Sequence, residues 1–368
     1  MKDNITSAVH YEVVDQNQEA PRWYQELLFL IPLSGEADVL LQKEMLHIAG
    51  GDIVFVHPFQ YFCISGISGV CLLYFINLSK LGDDVSPDFV MVNMYTMEVD
   101  PEFVKAHRIF PINKNPDALR EQLQKIRENN RICDWGVKEF VVPEWNYDLF
   151  NQSELNDGIF QAVYIVKNAA DCAQETCRFG IADPIDKYPE LPLEESSFHG
   201  KRGLVTYDGM KKASYYAYKI LNESGNSVVT KGDGYLITKS EREIQILLYN
   251  YQHFSNAFLN RTVKIIDSLY DAFDELVCLE FELPLCHLDK KAYLQETTIM
   301  NNRFGNVYQF YKENWEIRSL NKEDILYLNT VGQPLKKKEY LCVGEDRQVR
   351  YIRRLEPFEI RLIKLTEL

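Results

Sequence analysis

Between residues 87 and 225, apolar runs of strand length alternate with amphipathic helical stretches, and this alternation constrains the fold more than any other feature. Residues 88–93 (DFVMVN) read as a buried strand. Residues 115–129 place Leu119, Leu123 and Ile126 on one face behind Pro116, the pattern of an amphipathic helix. A second strand over 137–142 runs into Pro143-Glu144-Trp145-Asn146, and a helix over 156–169 turns Ile159, Phe160, Val163 and Val166 inward. Residues 176–181 suit a third strand, and 213–222 a third helix closed by Gly225. This order means parallel βα units. Three parallel strands cannot close into a barrel, and an open edge leaves backbone groups unpaired. Such an edge also leaves room for a homo-oligomer.

The flanks have a different period. Over residues 23–81, strand-like runs are punctuated by turn signals: 26–32, a turn at Ser34-Gly35-Glu36, 37–41, Gly50-Gly51-Asp52 leading into 53–58, then 70–78. That spacing suggests a small antiparallel barrel or roll. From 226 onward the chain reads as strands: a hairpin of 235–238 with 244–249, then alternation over 276–283 and 358–362. One helix, 322–331, interrupts them, with Ser319 and Asn321 as caps. This block reads as an all-β sandwich.

The net charge is −14, and the Lys336-Lys337-Lys338 run reads as a solvated loop, so no nucleic-acid partner is expected. No apolar run reaches the length of a membrane span. The start, Met1-Lys2-Asp3-Asn4, lacks the apolar stretch of a secretion signal. The eight cysteines (63, 71, 133, 172, 177, 278, 286, 342) are dispersed without a CxxC, which points to reduced thiols in a cytoplasmic protein. His10, His47 and His57 show no metal-ligand spacing, so neither a metal nor another cofactor is expected. The 22 Tyr and 20 Phe suit strands, and they equally suit sugar binding, where flat rings stack on pyranose faces.

A glutamate at the carboxyl end of a parallel strand sits where (βα)8 enzymes keep their active sites. Taken alone, Glu144-Trp145-Asn146 is weak, because a strand-end glutamate is more often a surface or capping residue. Its flanks add weight. "PDFVMVNMYTMEVDPEF", "NPDALREQLQKIREN", "VVPEWN", "LNDGIFQAVYIVKN", "SSFHGKRGLVTYDGMKKASYYAYKILN" and "GDGYLITKSEREIQILLYNY" follow one another in an order that resembles β-xylosidases of glycoside hydrolase family 39. The resemblance covers residues 85–368, and "FHGKRGLVTYDGMKKASYYAYK" is its most specific stretch. It implies the last three βα units of a (β/α) TIM barrel followed by the family's sandwich. Carried over residue by residue, it makes Glu144 the nucleophile and Asn146 its companion amide. Phe198-His199-Gly200 falls on a turn beside the sugar pocket, and Tyr95 on the aromatic closing the sixth strand. Asn93 stands where the family has His, and Pro143 precedes Glu144 where the family has Thr. The eighth strand reads Arg178-Phe179-Gly180-Ile181 without its usual Trp, with Asp183 kept. The implied ligand set is Glu144, Asn146, Tyr95, Asn93, Phe179, Asp183, Phe198 and His199, and the implied partner a xylose-containing oligosaccharide.

The family's acid/base lies in an Asn-Glu-Pro motif ending the fourth strand, and no Asn-Glu-Pro occurs in this sequence. Asp183 and Glu154 are the nearest stand-ins. The block "LLFLIPLSGEADVLL…HIAGGDIVFVHPFQYFCI", with Gly51-Asp52 and His57-Pro58, is similar to the cupin-type sensor domain of AraC-type regulators, but no pair of DNA-binding helices follows it. The expected organisation is multidomain α/β plus all-β: a small cupin-like β-barrel (1–84), a barrel remnant (85–225) and a C-terminal β-sandwich (226–368). An internal deletion near 80–86 would join the first two. The expected activity is retaining glycoside hydrolysis, lost or impaired for want of the acid/base. The alternative is a non-catalytic carbohydrate sensor.

Overall fold

The computed structural model describes residues 9–18, 20–24, 26–41, 44–50, 52–57, 60–76, 89–96, 112–132, 137–148, 153–174, 177–181, 183–186, 197–260, 269–286, 288, 292–315 and 320–368. Gly51, Pro58, Cys133, Thr176, Ser319 and the 80–86 junction fall outside them. The chain divides into two compact units, one of residues 1–89 with 126–138, the other of 90–125 with 139–368.

Seven strands make the first unit: β1 (Val9–Val14), β2 (Leu27–Ser34), β3 (Glu36–Leu41), β4 (Glu44–Ala49), β5 (Val54–Val56), β6 (Phe62–Ser65) and β7 (Val70–Ile76). They pair antiparallel in two sheets, β1-β7-β2-β5 and β4-β3-β6. Alternation along β2 sends Leu28 and Leu30 inward, where they meet Val39, Phe62, Ile64, Leu73 and Phe75 in one core. Gly35 turns β2 into β3 at φ +69°, and a Cβ there would lie 2.8 Å from the Gly69 backbone nitrogen. The turn-punctuated pattern thus gives the short antiparallel strands it suggests. His47 stands exposed, 2.8 Å from Asp38 and 3.4 Å from Glu36.

The second unit opens with short parallel strands. β8 (Phe89–Met91), β10 (Glu139–Val142) and β12 (Cys177–Phe179) form a sheet in the order β12-β10-β8, and β9 (Met94–Tyr95) pairs with β11 (Trp145–Asn146). Three helices follow along the chain, α1 (Ala118–Ile132), whose residues from 126 on count with the first unit, α2 (Ile159–Asp171) and α3 (Ala213–Asn222). α1 buries Leu119 and Leu123, as its apolar spacing requires. α2 is buried on nearly every side, Lys167 and Asn168 included, so it serves as the unit's central post. Lys167 is satisfied by Asp117 at 2.7 Å and Asp171 at 2.9 Å. One expectation fails: β8 is not buried, with Phe89 and Met91 each 52% exposed. An apolar run gains burial only from covering layers, and among the described residues β8 has a neighbour on one edge alone.

The remaining strands are β13 (Ser227–Gly232), β14 (Tyr235–Lys239), β15 (Glu243–Tyr249), β16 (Leu279–Leu285), β17 (Ala292–Met300), β18 (Leu335–Cys342), β19 (Val349–Leu355) and β20 (Ile360–Glu367). Six of them form an antiparallel sheet in the order β13-β14-β15-β20-β17-β18, and β16 pairs with β19. Their shared core includes Ile246, Leu248, Phe281, Tyr293, Leu355, Ile363 and Leu365. Two helices, not the single one expected, separate β17 from β18: α4 (Val307–Asn314) and α5 (Lys322–Val331). Asn321 caps α5 in a capping box with Asp324. The lysine run 336–338 is no loop; it lies in edge strand β18, where Lys336 and Lys338 pair with Glu296. Phe160 of α2 meets Phe254, Phe273 and Phe358, an aromatic seam that ties the parallel strands' helix to the antiparallel half. No described helix is long and apolar enough to cross a membrane. The seven described cysteines are free thiols.

Candidate functional site

Proline has no N–H to donate, so the ladder of β10 stops before Pro143 and resumes two residues later in β11. The neighbouring strand breaks at the same level, at Val92 and Asn93 between β8 and β9. Backbone hydrogen bonds bridge the paired breaks: Val92 N–H to Val141 O (2.9 Å), Met94 N–H to Glu144 O (2.9 Å) and Thr96 N–H to Asn146 O (3.1 Å). Glu144 and Asn93 therefore stand side by side in the interruption, with Asn93 Nδ2 3.4 Å from Glu144 Oε2.

The other carboxylate oxygen belongs to an ion pair. Arg202 Nη2 lies 2.6 Å from Glu144 Oε1, and Nη1 donates to the Tyr95 hydroxyl at 3.1 Å. The guanidinium also rests 5.3 Å from the centre of the Tyr95 ring. Burial, together with the Glu144 carboxylate beside it, pushes the Tyr95 hydroxyl up to about 12, so it stays protonated and able to donate. A cleft of about 180 Å³ opens here, lined by Glu144, Gly180, Asp183, Asp186, Arg202 and Tyr218 among others.

The loop presenting Arg202 is fixed on both sides. Gly200 adopts φ +67° against Ser153, where a Cβ would come within 2.6 Å of the Ser153 nitrogen. Its N–H donates to Asp157 Oδ2 at 2.6 Å, and Gly203 N–H donates to Asp186 Oδ1 at 2.8 Å. Fully buried Lys212 ties the two aspartates together, 2.7 Å from Asp157 and 3.0 Å from Asp186, and donates to the Lys201 carbonyl. Burial pushes the Asp157 carboxyl up to about 6 against the pull of Lys212, with the neighbouring Asp186 adding to the rise.

The structure gathers only part of the residue set read from the sequence. Glu144, Asn93 and Tyr95 converge, and Asp183 lines the same cleft. Asn146 does not line it; fully buried, it donates to Asn156 Oδ1 and accepts from Gln161 Nε2, both at 3.3 Å. Phe198 is buried against Tyr308 and Tyr311, with ring centres 5.2 and 5.1 Å away. His199 stacks on Tyr207 at 5.6 Å, and Phe179 packs at 5.0 Å on Trp145, which lines the cleft. Arg202 is the residue the sequence reading missed. It lies inside the most specific stretch, but a loop arginine has no periodicity; only Gly200 and Gly203 beside it hint at a fixed backbone.

Retaining hydrolysis uses two carboxyl groups roughly 5–5.5 Å apart, one attacking and one donating a proton. Glu144 suits the first task. Among the described residues lining the cleft, the other carboxylates are Asp183 and Asp186. Asp186 is buried and committed to Lys212 and the Gly203 N–H. Asp183 stands exposed after β12. Burial pushes the Glu154 carboxyl up, but hydrogen bonds from Tyr308 (2.6 Å) and Lys312 (3.0 Å) outweigh it and hold the group below its usual value, the wrong direction for an acid. No set of three or more His, Cys, Asp or Glu among the described residues could hold a metal ion.

No protein-family model matches the chain. The β-xylosidase of Geobacillus stearothermophilus is 19% identical to it over 199 residues, 54% of this chain and 36% of that protein. Among solved structures, a GH39 enzyme from Xanthomonas axonopodis pv. citri superposes with a TM-score of 0.63 at 17% identity, covering 79% of this chain and 57% of the other. A monomeric β-xylosidase from Caulobacter crescentus CB15 gives 0.61 at 20% identity, covering 76% and 56%. The chain thus spans about a third of the curated relative and a little over half of each solved chain. What it shares with these enzymes is the fold.

Proposed function

We propose that this protein is a glycoside hydrolase family 39-like protein that takes up xylose-containing oligosaccharides beside Glu144, with hydrolysis lost or strongly impaired. Glu144 is its nucleophile, Asn93 and Tyr95 flank the sugar, and Asp183 stands at the rim. Asn146 and Phe198 shape the site from behind. One observation supports this reading: Glu144 lines the cleft from the interruption of a parallel strand, with Arg202 2.6 Å from Oε1 and Asn93 3.4 Å from Oε2. The absence of an Asn-Glu-Pro motif from the sequence supports the loss of the acid. We read the first unit as a cupin-like sensor block of AraC type, followed along the chain by a barrel remnant and its sandwich, in a cytoplasmic protein.

Two measurements on the purified chain test this. Calorimetric titration with xylobiose should show binding, weakened by Glu144→Ala. Turnover of xylobiose should fall short of a complete family member by at least about a thousandfold, since general acid catalysis alone contributes roughly 10²–10⁴-fold. Turnover equal to a complete enzyme would refute the loss of catalysis; no binding of any xylo-oligosaccharide would refute the site.

A further inference from the structure

We infer that Arg202 is the positioning residue of this site: it clamps one oxygen of Glu144 and leaves the other to attack. The inference rests on the reading of Glu144 as nucleophile, and adds to it a residue that neither the sequence pattern nor the comparisons single out.

Three observations carry it. The guanidinium bridges two groups, Glu144 Oε1 at 2.6 Å and the Tyr95 hydroxyl at 3.1 Å, so the carboxylate is tied to the end of β9 as well as to the loop. A planar fork with several donors fixes direction as well as distance, which a lysine in its place could not do. The contact is also sheltered: the Arg202 side chain is 15% exposed and that of Glu144 30%. Water competes little there, and the pair is worth more than one on an open surface.

Most telling is the effort spent on the loop. Gly200, Lys201 and Gly203 each have a backbone group hydrogen-bonded to the Asp157–Lys212–Asp186 cluster, directly or through Lys212. Ser153 N–H further grips the Gly200 carbonyl at 2.9 Å. A buried lysine between two buried aspartates costs desolvation, and polar clusters of this kind hold geometry better than they add stability. Here the geometry held is the backbone on both sides of Arg202.

The two carboxylate oxygens are consequently unequal. Oε1 is engaged by the guanidinium, whereas the Oε2 contact with Asn93 is long, at 3.4 Å. Oε2 is the oxygen presented to an anomeric carbon. In the glycosylation step it would form the new C–O bond as the bond to the leaving group breaks, the electron pair departing with that group. Arg202 exchanges no proton in this step; it keeps the attacking group from rotating away.

The test follows covalent labelling of Glu144 in the full chain by a fluoro-xylosyl inactivator with an activated phenolate leaving group, read by intact mass. Such a leaving group needs no acid, so the readout does not depend on the missing proton donor. Arg202→Met should slow labelling by about 10²-fold, the order expected when a reacting group is misplaced by an ångström, with little change in the half-saturating inactivator concentration. Arg202→Lys should recover part of the rate, and guanidinium ion should restore labelling to Arg202→Ala but not to the parent chain. Parent-like labelling in Arg202→Met, or faster labelling, would overturn the inference and leave the nucleophile standing. Should the parent chain itself not label, both readings fall. Melting curves identify any variant that fails to fold, and guanidinium rescue then decides the matter within one folded variant.

Discussion

Two of the second unit's sheets are built by opposite means. The antiparallel sheet has six strands of five to nine residues, four of them paired on both edges. In the parallel sheet the strands are three or four residues long, and only β10 has neighbours on both sides. Hydrogen-bond ladders and a continuous apolar core hold the first. What holds the second is α2, the aromatic seam and a buried charge cluster. The candidate site falls on the weaker sheet: Glu144 stands in an interruption that a fully laddered strand would lack. A site of this kind therefore depends on polar groups outside the sheet, and losing them should cost more than losing charges in the sandwich.

The largest effect expected from this contrast is at Lys212. Lys212→Met leaves Asp157 and Asp186 buried without their cation, and should lower stability by about 3–5 kcal/mol in urea unfolding. A loss under about 1 kcal/mol would mean that the cluster does not hold the parallel half together. Next comes Gly200→Ala. A side chain at φ +67° against the Ser153 backbone should cost roughly 1–3 kcal/mol and disturb Arg202 as well. Unchanged stability there would show that the loop has slack.

Hydrogen exchange sharpens the comparison without mutation. Amides of 140–142 should exchange at least about tenfold faster than those of 246–248, because local opening follows ladder length and burial. Equal protection would contradict the contrast.

A smaller effect concerns His253, whose ring nitrogens meet the Tyr251 hydroxyl at 2.8 Å and the Asn113 carbonyl at 2.9 Å where the two halves join. Burial lowers its pKa from 6.5, although the Asn113 contact opposes the fall. With the folded value below the unfolded one, the unfolded chain takes up the proton first. Stability from this group is thus present above pH 6.5 and lost as pH falls through the lower folded value. Melting temperature should drop more steeply on acidification in the parent chain than in His253→Gln; parallel curves would remove His253 from the joint. The smallest change belongs to the sandwich edge, where Lys338→Ala removes an exposed partner of Glu296 and should cost less than about 1 kcal/mol.

What could be read from the sequence follows the same division. α3 and α5 match their expected spans residue for residue; apolar spacing specifies both and a capping box starts α5, whereas α3 has no side-chain cap at its N-terminus and closes at Glu223 before the expected Gly225. The antiparallel strands of the first unit were legible from alternation and turn residues alone. The missed helix α4 packs Val307, Tyr308 and Tyr311 inward from an aromatic-rich segment that reads equally well as strand. That miss explains another: Phe198 seemed free to face a sugar until Tyr308 and Tyr311 arrived to bury it. β8 misled because burial is decided by distant partners that an apolar run cannot reveal. Glu144 was singled out by the order of the segments around it, while Arg202, 58 positions away, makes a contact that no local signal records.

A working nucleophile without its acid would reveal itself in the dependence of rate on the leaving group. With the purified full chain, kcat/KM is to be measured for dinitrophenyl β-xyloside and for xylobiose, each with Glu144→Gln as control. Cleavage of the activated glycoside, whose phenolate leaves unaided, should be slow but dependent on Glu144. Against a complete family member, xylobiose should lose about 10²–10⁴-fold more rate than the activated substrate does. Equal losses on the two substrates would contradict it, because they would mean that a proton donor is in place.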